Sequence, residues 1–238
     1  MDFLSLERII MMTPILLLAL PFHEWAHGWV AYKMGDPTAK YAGRLTMNPF
    51  KHLDFLGVIM MYAVGFGWAK PVPVNPIYFK DRKKGMILVS LAGPLSNLLL
   101  AFISTLLGGA LAKLFEIGVI SANTEKMATF LVYVGVFFSI LISVNISLAI
   151  FNLIPVPPLD GSRVLSSFIS EESFYRFARY EQYVGLAFLA VAAIFPTAIT
   201  GFISFFARPI LRSMTLFTAT VLNLDPSNGL WTIMQGLL

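Results

Sequence analysis

The chain has 238 residues, of which 57% are hydrophobic and only 13% are charged, and its mean hydropathy is +0.76. A soluble domain carries about twice that charged fraction, so the composition excludes an ordinary soluble protein and indicates a membrane protein. The net charge is a modest +4, and the lack of cysteine excludes a disulfide framework and leaves His, Asp and Glu as ligands for any metal ion.

Apolar runs recur along the chain, and several reach the roughly 20 residues that a membrane-spanning helix needs. The predicted spans are residues 9–32, 85–112, 127–159 with an irregular tail, 182–207, and a further candidate at 209–224. Pro196 is expected to break or kink the fourth run. No signal peptide is predicted, because the first residues lack a basic region and no small-residue cleavage site follows the first run. The sequence therefore predicts an all-α polytopic membrane protein with four to six transmembrane helices.

The connection between the first two spans is unusually basic and irregular. It holds nine of the 17 Lys and Arg residues: Lys33, Lys40, Arg44, Lys51, Lys70, Lys80, Arg82, Lys83 and Lys84. Because basic loops stay on the cytoplasmic side, this connection is expected to face the cytoplasm. Its apolar stretch 55–69 is too short to span a membrane. The glycines and prolines of 65–76 exclude a helix and predict a small re-entrant or β-hairpin element between the first two spans.

Three ionisable residues, His23, Glu24 and His27, lie in the first apolar run within the sequence HEWAH. Residues four apart share a helix face, so the two histidines can bind one metal ion while the glutamate acts as a general base on water. This is the H-E-x-x-H pattern of zinc hydrolases. Ionisable groups inside a span are costly and usually functional. The alternative is a pair of helix-end histidines near the membrane interface.

A catalytic zinc site needs a third protein ligand and an open position, and the candidates are His52 or a carboxylate. Asp160 lies in NLIPVPPLDG, an irregular stretch directly after the third span. Irregular backbone at membrane depth is tolerated only where it is buried in protein or lines a cavity, which favours an inward-facing Asp160. A turn in which Asp160 caps the next helix explains the local sequence equally well. His52 is expected to order its loop with Asp54, because a fourth protein ligand would close the site to water.

Four segments, HEWAHGWVAYKMGD, GRLTMNPFKHLDFLG, SLAGPLSN and NLIPVPPLDG, resemble in this order the site-2 protease family of intramembrane zinc metalloproteases. The resemblance covers about residues 20–165 and is greatest to short prokaryotic members without a PDZ domain. It implies that His23, His27 and Asp160 are the ligands of one zinc ion and that Glu24 is the general base. It also implies that Asn152 assists substrate binding or the transition state.

The resemblance further implies a zinc metalloendopeptidase that hydrolyses peptide bonds within or near transmembrane segments of membrane proteins. The expected organisation is a single domain, 1–238, with a catalytic core at about 7–170 and C-terminal helices at about 180–238. The expected setting is a prokaryotic cell membrane, with multiple passes and the active site toward the cytoplasm. The lipid bilayer and transmembrane protein substrates are the expected partners and nucleic acid is not, while the sequence leaves homo-oligomer formation open.

Two other functions are compatible with part of the pattern. A metal transporter would also place His and Asp in its spans, but it needs no Glu beside the first His and would show paired half-repeats, which the sequence lacks. An inactive scaffold would not need the complete set of His23, Glu24, His27 and Asp160. Among the remaining polar residues, Asn97 in the second span is expected to make a helix–helix hydrogen bond in preference to shaping the site.

Overall fold

The computed structural model describes residues 6–64, 67–169 and 180–235, and these residues are predominantly helical. The helices in chain order are α1 (Leu6–Lys33), α2 (Thr38–Tyr41), α3 (Phe55–Val64), α4 (Arg82–Glu116), α5 (Glu125–Asn152), α6 (Asp160–Ser166), α7 (Glu181–Ile194), α8 (Pro196–Leu222) and α9 (Gly229–Gln235). Short 3₁₀ turns occur at Pro49–Lys51 and Pro76–Tyr78. The prediction of an all-α fold is confirmed.

Three helices within the described residues are long and apolar enough to cross a membrane: Ile9–Lys33 of α1, the whole of α4 and the whole of α5. They correspond to the first three predicted spans, and the irregular tail begins after Asn152 as expected. Residues 117–124 are all that connect α4 to α5, which leaves no room for a PDZ domain there. The total of four to six spans stays a prediction.

The C-terminal helices divide at a different place from the one predicted. Helix α7 ends at Ile194 and α8 begins at Pro196, so the expected break is confirmed. The division into separate runs at 182–207 and 209–224 is wrong, because α8 continues through Pro209 to Leu222. An interior proline removes one backbone N–H and its ring crowds the carbonyl of the preceding turn, yet α8 remains one helix around Pro209.

The connection between α1 and α4 contains helix α3 over its apolar stretch, followed by non-helical backbone at 67–75, as the prolines predicted. Leu53 and Ala69 form an isolated antiparallel bridge, and no strand is present in the described residues. Residues 65 and 66, at the start of the predicted hairpin, lie outside those residues. The β-hairpin therefore stays a prediction.

The chain forms two compact units, each built from two segments. Unit 1 comprises Met1–Asn97 and Leu148–Phe202, and it contains every candidate site residue. Unit 2 comprises Leu98–Ser147 and Ile203–Leu238. The buried apolar cluster of unit 2 is formed by Ala112, Leu131, Leu224, Leu230, Trp231 and Met234. The division into a catalytic core and C-terminal helices, inferred from the sequence, stays a prediction.

Candidate metal centre

Three potential metal ligands from two distant segments meet inside unit 1. His23 and His27 lie one turn apart on α1, and Asp160 is the first residue of α6. Asp160 Oδ2 lies 3.2 Å from the Nε2 atom of each histidine, and the two Nε2 atoms are 3.0 Å apart. Both imidazoles are buried, and the Asp160 side chain is 15% exposed. Within the described part of the chain, no other cluster of three such ligands occurs.

The second ring nitrogen of each histidine donates to a carbonyl oxygen. His23 Nδ1 donates to Asn97 Oδ1, and His27 Nδ1 donates to the backbone oxygen of Val89, both at 2.6 Å. Because a carbonyl oxygen only accepts, each Nδ1 carries the proton and each Nε2 keeps a lone pair for a metal. Such partners fix both the ring orientation and the tautomer of metal-binding histidines. The contact of Asn97 joins α4 to α1, so it is the expected helix–helix hydrogen bond, and because its partner is His23 it also shapes the site.

The convergence of these atoms fits a bound cation. Two imidazole lone pairs and a carboxylate oxygen face one another, and Asp160 Oδ2 is buried without a hydrogen-bond partner. A cation between them would satisfy all three acceptors. Tetrahedral zinc, with Zn–N distances of about 2.0–2.1 Å, separates its ligand atoms by about 3.3 Å. The 3.0–3.2 Å separations found here are close to that requirement.

Asp160 is brought to the histidines by the irregular stretch before α6. A Cβ on Gly161 would overlap the backbone oxygens of Leu153 and Ile154, so only glycine allows this close return of the chain. The helix N-cap is Leu159, and no side-chain cap bond is made, which excludes the alternative of Asp160 as the cap. This return of the chain presents the Asp160 carboxylate to both histidine rings as a potential metal ligand.

Helix α4 lies against the histidine pair through one face. Val89, Gly93 and Asn97 are spaced four residues apart, so they share that face. A Cβ on Gly93 would overlap ring atoms of both His23 and His27. Gly93 therefore permits the close approach of α4 to the two rings. The spacing of four residues is the sequence feature that could have identified this face of α4. The contact of the Val89 carbonyl with His27 was not predicted.

Glu24 is partly buried beside His23, and it has a backbone partner from a remote segment. Its Oε2 atom accepts a hydrogen bond of 2.8 Å from the N–H of Val72. Val72 itself is 7% exposed and lies in the non-helical segment 67–75. Sequence reasoning did not identify this contact, because it joins residues 48 positions apart.

Two residues weighed from the sequence have local partners. His52 is fully buried and its Nε2 donates to Thr46 O at 2.7 Å, so it orders its loop and is not part of the three-ligand cluster. Asp54 Oδ1 accepts from the N–H of Gly57 and so caps α3. Asn152 donates from Nδ2 to Leu148 O of its own helix at 2.9 Å. The role that the resemblance implies for Asn152 stays a prediction.

Comparison with known proteins gives a consistent set of relatives. The model of Peptidase family M50 matches residues 11–192. Putative zinc metalloprotease YwhC of Bacillus subtilis is 43% identical over 188 residues, which cover 79% of this chain and 81% of the relative. Putative zinc metalloprotease Rip2 of Mycobacterium tuberculosis is 30% identical over 187 residues, which cover 76% of this chain and 65% of the relative. Putative zinc metalloprotease MJ0611 of Methanocaldococcus jannaschii is 32% identical over 149 residues, which cover 60% of this chain and 63% of the relative. No solved structure matches the chain.

Proposed function

The chain belongs to peptidase family M50, and on that premise we propose that it is a membrane zinc metalloprotease that cuts within or near transmembrane segments of other membrane proteins. Membership agrees with the resemblance to site-2 proteases found in its motifs. The single observation that carries the proposal is the meeting of His23, His27 and Asp160 through three acceptor atoms. The glutamate next to the first ligand supplies the base that hydrolysis requires.

We assign the roles as follows. His23, His27 and Asp160 would hold one zinc ion per chain through Nε2, Nε2 and Oδ2, atoms that lie 3.0–3.2 Å from one another. Zinc bound there supplies a Lewis acid that polarises a carbonyl and makes water reactive near neutral pH. Glu24 accepts the proton of the attacking water and passes it to the leaving amine. Asn97 keeps His23 in the tautomer that leaves Nε2 unprotonated.

The substrate must reach this site as an extended chain, because the peptide bonds of an intact helix are shielded by their own hydrogen bonds. We propose that the segment 65–76 receives it by strand addition. Pro71 and Pro73 lack N–H groups, so they can pair with a substrate only through their carbonyl oxygens. Asn152 is assigned to substrate or transition-state contact on the strength of the family motif alone.

We place the active site toward the cytoplasm, since the basic connection between α1 and α4 favours that side of the membrane. The bilayer surrounds the three long apolar helices. Residues 7–170 form the proposed catalytic core, and the helices of 180–238 complete the domain. Formation of a homo-oligomer is left to experiment.

The proposal is tested with the purified protein in proteoliposomes that also contain a panel of single-span reporter proteins. We expect cleavage sites, mapped by mass spectrometry, to fall within or next to the reporter spans. Chelation should stop cleavage and added zinc should restore it. A parallel uptake assay with labelled zinc separates the transporter alternative. Zinc uptake without cleavage of any reporter would contradict the proposal.

A further inference from the structure

The hydrogen-bond donor to Glu24 belongs to a residue bracketed by prolines. Residues 71–73 read Pro-Val-Pro, so Val72 carries the only backbone N–H of the three. That N–H is donated to Glu24 Oε2 at 2.8 Å. The Pro-Val-Pro sequence thus offers a single backbone donor, and that donor meets the carboxylate that follows His23 in the chain.

We propose that Val72 is a positioning residue for Glu24, and that through this bond the segment 67–75 sets the orientation of the general base. The inference rests on the role proposed for Glu24. A hydrogen bond to an ionised carboxylate is among the stronger ones in proteins, so it can select one rotamer of a long side chain. With Oε2 held by Val72, Oε1 is the oxygen left to exchange protons with water and the leaving amine.

Hydrogen bonds made by residues on either side of Val72 fix its position. The N–H of Lys70 donates to His52 O at 2.7 Å, and the N–H of Asn75 donates to Asp36 Oδ2 at 2.6 Å. The three donating residues, Lys70, Val72 and Asn75, each precede a proline, which restricts their backbone to extended conformations. Asp36 is fully buried and also accepts from Thr38. The segment is therefore anchored at both ends around the bond to Glu24.

The side chain of Val72 makes a second contact with the helix that carries the base. A Cβ placed on Gly28 would lie 3.2 Å from Val72 Cγ1, so the valine fills the space that this glycine leaves. Gly28 lies one turn after Glu24 on α1. Val72 thus contacts α1 through its backbone and its side chain, and the two contributions can be separated by substitution.

Amide hydrogen exchange tests the bond without any cleavage reaction. Glu24→Gln keeps a side-chain acceptor at position 24, whereas Glu24→Ala removes it. Within KPVPVN the prolines carry no amide, so exchange at Val72 can be resolved from that at Lys70, Val74 and Asn75. We expect the Val72 amide to exchange slowly in the native protein and in Glu24→Gln, and about ten- to 100-fold faster in Glu24→Ala. Equal exchange rates in the two variants would overturn the proposal.

Kinetics then test whether the bond matters for the base. Val72→Pro removes the N–H, whereas Val72→Ala retains it. We expect Val72→Pro to lower kcat about ten- to 100-fold relative to Val72→Ala, at unchanged KM and zinc content. Equal kcat values for Val72→Pro and Val72→Ala would overturn the proposal.

An ester in place of the amide at Val72 provides the same test if Val72→Pro does not fold. It removes the N–H without a ring, and the same loss of kcat is expected. A native protein that cleaves no reporter would defeat the proposed function, whereas the exchange experiment would still decide whether Glu24 holds Val72.

Discussion

The two units of the molecule use their polar side chains in different ways. In unit 1, side-chain hydrogen bonds join residues far apart in sequence, as between Glu24 and Val72, Asp36 and Asn75, and His23 and Asn97. In unit 2, several polar side chains inside the long helices instead bond the carbonyl one turn earlier: Ser104 to Leu100, Thr105 to Ala101 and Ser143 to Ser139. Those bonds satisfy a buried polar group without positioning another segment.

Unit 2 is held together mainly by close apolar packing at small residues. A Cβ on Gly108 would press on Met234, one on Gly109 on Thr218 and Leu222, and one on Gly135 on Leu230 and Ile233. Asn228 supplies a polar link at one end by donating to Ala112 O. Directional hydrogen bonds fix the positions of atoms that must bind a metal or transfer a proton, whereas apolar packing fixes only the shape of a region. Substitutions in unit 1 should therefore alter chemistry, and those in unit 2 should alter stability.

The largest expected effect is that of Glu24→Gln in unit 1. The amide has nearly the same shape but cannot accept a proton, so cleavage should fall by at least about 10²- to 10⁴-fold. Metal content and the thermal unfolding midpoint should remain close to native, because the Val72 N–H still finds an oxygen acceptor. Cleavage of a reporter at a normal rate by this variant would show that Glu24 is not the base.

The same substitution at two glycines of α4 compares the units directly. Gly93→Ala would place a methyl group against the rings of His23 and His27, so zinc content and cleavage should both be lost. Gly109→Ala would crowd Thr218 and Leu222 in unit 2 and should cost about 1–3 kcal/mol of stability while zinc remains bound. Metal analysis and thermal unfolding of both variants check this. Zinc loss in Gly109→Ala with Gly93→Ala unaffected would reverse the comparison.

A smaller effect is expected from two buried polar residues, Asn97 in unit 1 and Thr105 in unit 2. Asn97→Ala removes the acceptor that fixes the His23 tautomer, and loss of such a partner typically lowers metal affinity about 10- to 100-fold. Thr105→Ala should leave zinc affinity unchanged, since the Thr105 hydroxyl donates to Ala101 O of its own helix. Competition with a zinc chelator measures both. Equal affinities in the two variants would place Asn97 outside the metal centre.

Much of the site follows from local spacing, and the remainder depends on tertiary contacts. The separation of four between His23 and His27 places both rings on one helix face, and the prolines before Asp160 identify an irregular stretch that turns inward. The contacts of Val89, Asn97 and Val72 require knowledge of which segments pack against α1, and no local pattern carries that information.

The elements were predicted best where hydrophobicity alone decides them. The first three long apolar helices lie where the sequence placed them. The boundary near residue 208 was wrong, because an apolar helix can continue through a proline and Pro209 does not end α8. Pro196 does begin a helix, since a first-turn proline loses no intrahelical hydrogen bond.

The most direct test of the metal centre is the zinc content of the detergent-purified protein, measured beside His23→Ala and Asp160→Ala. The account predicts about one zinc per native chain and loss or strong weakening of binding in both variants, because a catalytic site has three protein ligands. That result would join α1 and α6 in one site. A well-folded native protein without metal, or full zinc occupancy in Asp160→Ala, would contradict the three-ligand centre.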